Sequence, residues 1–216
     1  MKLILITIFL LFPLTSNASI ITFEFKGEFT QTYGDITNYL NIGDNFTGKV
    51  SYELGGIDAD PSNERGFYTA LEFSFEFNGF AGYATDADVS IINGTNNDFG
   101  CCSQYVVWGG RTNNTFGLMD SYFLQAVGFG LYNFSQYIFA DTQLPTSAPQ
   151  IRDYEGTNFT LNYVPDLSQP NTDSIGAYGI ITSITAVEIN EPANTVILAL
   201  VLLLGFHRSR VKNQKI

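Results

Sequence analysis

The sequence predicts an all-β protein: an antiparallel β-sandwich of the jelly-roll kind, with a barrel as the alternative, set between an N-terminal signal peptide and a C-terminal hydrophobic helix. Three observations lead there. Apolar and polar side chains alternate with period two in many short runs between residues 19 and 189, as half-buried strands require. Turn-forming Gly, Asn and Asp punctuate those runs, and no long amphipathic helical pattern interrupts them. The two ends are apolar in a different way, continuous rather than alternating. With 216 residues, 45% of them hydrophobic and 15% aromatic, the chain can bury a sizeable core in one domain.

Residues 1–18 read as a signal peptide. Lys2 supplies the positive start, Leu3 to Leu14 the apolar stretch, and Ser16-Asn17-Ala18 the small-residue exit, which predicts cleavage after Ala18. An uncleaved N-terminal anchor is the competing reading. No Cys follows the apolar stretch, which argues against a lipoprotein.

The ectodomain, residues 19–189, then reads as strands in succession. Thr22 to Phe29 alternate loosely, and Phe46, Gly48, Val50 and Tyr52 share one face. Leu71, Phe73, Phe75 and Phe77 form a dry face against Glu72, Ser74, Glu76 and Asn78, and Asn78-Gly79 is a hairpin turn into Phe80 to Ala84. Further strands are expected at Val89 to Ile92, Tyr105 to Trp108, Thr115 to Met119, Tyr122 to Tyr132, Gln136 to Ala140, Asn158 to Tyr163 and Gly179 to Ile189. Gln143 to Arg152, with Pro145 and Pro149, reads as a long loop. No repeat of fixed period and no linker divides the span.

Residues 190–216 form a tail. Residues 193–206 are an apolar helix that covers about 21 Å at 1.5 Å per residue, against about 30 Å of hydrocarbon. A basic end follows at residues 207–215, in which Arg208, Arg210 and Lys212 should act as a membrane stop. Signal peptide, ectodomain, a short Glu-Pro-Ala motif, an apolar helix and a basic end together make this chain resemble the PEP-CTERM proteins, exported by Gram-negative bacteria. Glu191 and Pro192 match the second and third motif positions, Asn190 stands where the first Pro is usual, and Ala193 continues the pattern. The resemblance implies recognition and cleavage by an exosortase-type processing enzyme, with a membrane-held precursor and a mature form at the cell surface or outside it. The departure at Asn190 leaves permanent anchoring open. Gly43 to Leu54 and the following Asn63 to Gly79 also resemble ectodomains found in front of such tails; no activity comes with that likeness.

Charge narrows the partners. Between residues 19 and 190 five basic residues stand against twenty acidic ones, a balance of −15, so phosphate backbones are repelled and nucleic acid is not an expected partner. The only histidine is His207, in the tail. The ectodomain therefore holds no imidazole for a Ser-His-Asp triad or an ordinary zinc site.

Carboxylates are the remaining catalytic option. Glu72 and Glu76 on one strand lie about 13 Å apart, beyond the roughly 5–9.5 Å of glycosidase pairs; Asp86 and Asp88 fall within reach, at about 6.6 Å if extended. A carbohydrate-active enzyme using a carboxylate pair is thus the alternative to a non-catalytic surface or matrix protein. No cofactor is expected, with one minor exception. Asp58, Asp60, Asn63 and Glu64 place oxygen ligands for Ca2+ in one loop, although Pro61 interrupts an EF-hand pattern and Thr69 stands where its Glu would bind. The competing reading is a polar turn.

Cys101 and Cys102 are the only cysteines and are adjacent. Their Cα atoms lie about 3.8 Å apart, short of an ordinary bridge, which leaves a strained vicinal disulfide, a link to another chain, or free thiols. Aromatics give the one hint of binding. Trp108 and the tyrosines at 33, 39, 83, 105, 122 and 132 sit near turns, where flat rings stack on sugars such as exopolysaccharide; core filling is the competing reading, and for Trp108 the favoured one.

Overall fold

The computed structural model describes residues 19–60, 62–84, 87–94, 102–109, 122–165, 168 and 173–187. Several readings lie outside them: the signal peptide, Asp86, Cys101, the strand at 115–119, residues 188–189 of the last expected strand and the whole tail from 190 onward. No helix among the described residues is long and apolar enough to cross a membrane.

Ten strands follow one another: β1 (Ile20–Tyr33), β2 (Asn45–Glu53), β3 (Arg65–Thr69), β4 (Glu72–Phe77), β5 (Phe80–Ala84), β6 (Asp88–Asn93), β7 (Ser103–Gly109), β8 (Phe123–Asn133), β9 (Gly156–Val164) and β10 (Ile175–Ala186). They form one antiparallel sheet in the order β3-β6-β7-β8-β9-β10-β1-β2-β4-β5. The two ends of that order belong to one hairpin. Phe77 faces Phe80 and Phe73 faces Ala84, the Ala70 N–H donates to Ala87 O, and Thr69 faces Asp88 and Arg65 faces Ile92, all in a single unbroken register. The hairpin folds over at Ala70–Leu71, so its tip half (β4, β5) joins β2 and its base half (β3, β6) joins β7.

The sheet is consequently curled into a ring in which, with the folded hairpin β3–β6 taken as one element, each element lies beside its neighbours in the chain, and β10 returns to β1. The Greek-key crossing of a jelly roll does not occur among the described strands. The connectivity is a meander, as in the barrel alternative.

The interior is filled with rings, as expected when about eight strand-widths close on themselves. Phe25 of β1 meets Phe129 of β8 at 4.7 Å and Phe73 of β4 at 5.8 Å, and Phe73 reaches Phe129 at 6.2 Å across the interior. Phe46 stacks on Phe159 at 4.1 Å. Rings of this size fit because Gly48 and Gly27 leave the wall bare beneath them: a Cβ at either would collide with Phe25 or Phe46. One end is plugged by Ile36 and Leu40, both fully buried, and the other by the loop between β8 and β9, whose Leu144 is buried. Tyr52 Oη donates to Pro145 O at 2.6 Å and Tyr68 Oη to Thr142 O at 3.0 Å, tying that loop to the wall. Outward positions carry Glu24, Lys26, Lys49, Glu72 and Glu76 in mid-strand, a wet exterior around a dry interior, the reverse of a lipid-embedded barrel.

Most of the strand expectations hold, as does the loop over 143–152, at whose end residues 151–153 make a 3-10 turn. Three details differ. Leu71 lies at the hairpin fold and is 48% exposed, off the dry face. Arg65–Thr69 is a strand that the alternation did not announce. Gln136 to Ala140 is not a strand, because side chains take its backbone bonds: Asn133 Oδ1 accepts the Gln136 N–H, Ser103 Oγ accepts the Ile138 N–H, and Asn93 Nδ2 donates to Phe139 O.

Candidate functional site

The outward face of β3, β6, β7 and β8 carries a groove of about 490 Å³. Pairing registers set its side chains in three cross-strand rows. Arg65, Ile92, Gln104 and Tyr132 make the first, Phe67, Ser90, Val106 and Gly130 the second, and Thr69, Asp88, Trp108 and Gly128 the third. The two glycines decide its shape. A Cβ at Gly128 would strike the Trp108 ring and one at Gly130 the Tyr132 ring, so both aromatics lean over the sheet instead of standing away from it.

Neighbours hold these rings in place. Tyr132 Oη donates to Asn158 Oδ1 at 3.2 Å, and the Phe134 ring stacks on Tyr132 at 6.0 Å, nearly parallel. Burial pushes the Tyr132 hydroxyl above its ordinary range, so it remains a neutral donor at physiological pH. Arg65 lies over the Phe67 ring at 5.3 Å and reaches Asp60 Oδ2 with Nε at 3.6 Å. Trp108 is half-buried on this outer face, which corrects the expectation that it fills the core.

Two donors in the groove wall are unsatisfied. Gln104 is 1% exposed, and neither its Nε2 nor the Trp108 Nε1 has a hydrogen-bond partner. Buried polar groups are ordinarily paired, and leaving one unmade costs about 1–3 kcal/mol. A groove that combines leaning aromatic rings with unmade donors suits a ligand that is itself both flat and polar.

A larger hollow of about 760 Å³ lies on the opposite wing, lined among others by Glu24, Lys49, Glu72, Glu76 and Tyr83. It contains the Glu72 and Glu76 that the sequence singled out. Its charges are mixed, with Glu24 bridged to Lys26 at 3.3 Å, and no unsatisfied buried donor lies there among the described residues. It has the character of a solvated charged face.

The Asp58 loop is committed to the fold. Asp58 Oδ1 accepts the N–H groups of Asp60 and Phe67, each at 2.9 Å, and Asp60 Oδ1 accepts that of Ser62. With the Ala59 N–H donating to Phe67 O, this segment covers the free edge of β3. Asn63 is exposed in the turn and Glu64 lies over Gly94. Among the described residues no three acids, histidines or cysteines come together as a metal cluster. The Cys102 sulfur is disulfide-bonded and 3.8 Å from Phe134 O; Cys101, the only other cysteine of the chain, lies outside the described residues. So do Asn190, Glu191, Pro192, Ala193, Arg208, Arg210 and Lys212.

Of the aromatics named from sequence, Tyr132 and Trp108 meet in the groove, Tyr105 is core, and Tyr33 lies on the outward face further along the sheet. Gln104, Gly128 and Gly130 were not singled out. The signal for the glycines lay in the alternation of "VGFGLY", which puts Phe129 and Leu131 inward and leaves both glycines outward.

The class these features define is an all-β meander with an aromatic, donor-lined groove on its outer wall. Comparison of the chain with protein-family models, with curated proteins and with solved structures returns no match in any of the three.

Proposed function

We propose that this is an exported, non-catalytic cell-surface or extracellular-matrix protein of a Gram-negative bacterium that holds a polysaccharide in the groove of Trp108 and Tyr132. The observation that carries the reading is the pairing of rings laid over Gly128 and Gly130 with the unmade donors of Gln104 and Trp108. Sugar rings present apolar C–H faces to aromatics and hydroxyls at their rims, the complement of such a wall. Delivery rests on the ends of the sequence: a signal peptide over 1–18 and a PEP-CTERM-like tail over 190–216, presented to an exosortase-type enzyme at the membrane.

The alternative of a carboxylate-pair enzyme finds less support, since Asp88 is the one carboxylate among the described residues lining the groove and two are needed. Affinity electrophoresis of the purified protein through gels containing soluble neutral polysaccharides tests the proposal. Retardation that Trp108→Ala weakens by about tenfold or more, with the fold intact by circular dichroism, is the expected result. Retention unaffected by Trp108→Ala, or none on any gel, would overturn it; release of reducing ends would favour the enzyme.

A further inference from the structure

The outward surface does not end at the groove. The row containing Trp108 and Gly128 continues through Thr160 of β9 to Tyr178 of β10. Tyr178 is 42% exposed, and its ring lies 5.6 Å from that of Tyr33, tilted by 34°. Tyr33 is itself fixed. Its hydroxyl donates to Asn162 Oδ1 at 3.1 Å while Asn162 Nδ2 donates to Gln125 Oε1 at 2.6 Å, and Gly176 leaves room for its ring to lie on the sheet. Rings over cross-strand glycines also serve to cover bare backbone, which accounts for Tyr33. It does not account for Tyr178, which stands on Tyr33 and faces Thr160 across the ladder.

Between the two aromatic stations the surface is polar and uncharged. Outward on β8 are Gly128 and Gly130, and outward on β9 are Asn158, Thr160 and Asn162. Amides and a hydroxyl there can exchange hydrogen bonds with a neutral, hydroxyl-rich ligand, whereas nothing there pairs with an anionic one, and the chain's net charge of −11 repels polyanions. Trp108 and Tyr178 are three strand spacings apart, about 14 Å at about 4.8 Å each, which is longer than a disaccharide.

We propose that the binding site runs across the strands from Trp108 over Thr160 to a second aromatic station at Tyr178 and Tyr33, and that its ligand is an extended, neutral glycan. This rests on the groove being a sugar site. Two stations on one rigid wall give a long chain a second contact without a second loss of translational freedom, so affinity should climb once a chain spans both.

Titration calorimetry of the full-length protein, kept in mild detergent, with cello-, laminari- and chito-oligosaccharides from disaccharide to hexasaccharide tests this. Affinity is expected to rise steeply at the length that first reaches Tyr178. Tyr178→Ala, an exposed position that does not threaten folding, should remove that rise, about a tenfold loss for the longest chains, and leave the shortest unchanged. Trp108→Ala should weaken every length. Were Tyr178→Ala to match the unaltered protein at all lengths while Trp108→Ala weakened binding, the second station would be wrong and the groove would stand. No binding of any chain, or binding indifferent to Trp108→Ala, would overturn both; preference for acidic over neutral chains would overturn the assignment of ligand class.

Discussion

Truncating Phe159 tests whether the aromatic interior holds the ring of strands together. Its side chain is fully buried and touches rings from three other strands: Phe46 at 4.1 Å, Phe29 and Phe25 at 6.0 and 6.1 Å, and Phe75 at 6.3 Å. Phe159→Ala forfeits the transfer free energy of the ring, opens a cavity and removes the stacked pair, which together come to about 3–5 kcal/mol. At about 2–4 °C per kcal/mol for a domain of this size, the melting temperature should fall by about 6–20 °C. Phe159→Leu refills most of the volume and should cost about 1.5 kcal/mol. Ile57→Ala, at a side chain 91% exposed, should stay within about 0.5 kcal/mol. Urea unfolding followed by the fluorescence of Trp108, the single tryptophan, reads all three variants. A loss below about 1 kcal/mol for Phe159→Ala at unchanged m-value, or equal losses for Ala and Leu, would refute the reasoning.

The tyrosines predict a steep alkaline transition. Burial, reinforced by Tyr178, pushes the Tyr33 hydroxyl up to about 12, and burial also raises Tyr52, Tyr105, Tyr154 and Tyr163. A raised hydroxyl holds its proton longer when folded, so its share of stability is complete below pH 10 and is lost as pH climbs through 12 and beyond; tyrosinate absorbance should therefore lag and then rise together with loss of near-ultraviolet dichroism. Asn78 and Gly79 both have positive φ, 45° and 81°, as a two-residue hairpin turn demands, and Asn78 Nδ2 donates to Asp44 Oδ2 at 2.7 Å. Asn78→Ala should cost about 1–2 kcal/mol from the left-handed backbone alone, and Asn78→Gly should recover that part in the same urea assay. The Asn41 N–H first, then Asn78, hold the Asp44 carboxyl below its usual range, so its contribution is present above the ordinary carboxylate value and lost as pH falls through the folded one; acid titrations should show a smaller loss in Asn78→Ala. Intact mass measurement on cells and medium should find a mature chain ending near residues 190–192, and neutralising Arg208, Arg210 and Lys212 should impair membrane retention of the precursor. A full-length chain ending at Ile216 in the membrane fraction would show anchoring instead.

Strand identity was legible where one face is dry and the other wet: Phe73, Phe75 and Phe77 read correctly because the outward Glu72 and Glu76 marked the period. Curvature was not. Nothing local at Ala70 and Leu71 announces that one hairpin will fold and serve both ends of a sheet, because the fold is set by which strands its two halves find, β2 and β7. The segment from Gln136 to Ala140 has strand-like composition, but Asn133, Ser103 and Asn93, distant in the chain, claim its backbone groups. At the candidate site Trp108 and Tyr132 were visible as rings near turns. For Trp108 the placement required the register of β7 against β8, which sets it beside Gly128, whereas Gly130 stands two residues before Tyr132 on one strand; Gln104 drew no notice because a polar residue in a strand ordinarily faces water.

The chain enters β1 and leaves β10 at one rim: Ser19 O accepts the Leu54 N–H and the Val187 N–H donates to Thr22 O, side by side. Tension between the two chain ends would therefore unzip the β1–β10 ladder one bond at a time, the weak direction of a hairpin. Tension between the carboxyl end and a polymer lying across β7 to β10 would instead be shared along several ladders at once. Were the proposed glycan to load the outer wall while the carboxyl end is held, the force would fall along the strands' ladders rather than at the β1–β10 edge where the chain enters and leaves.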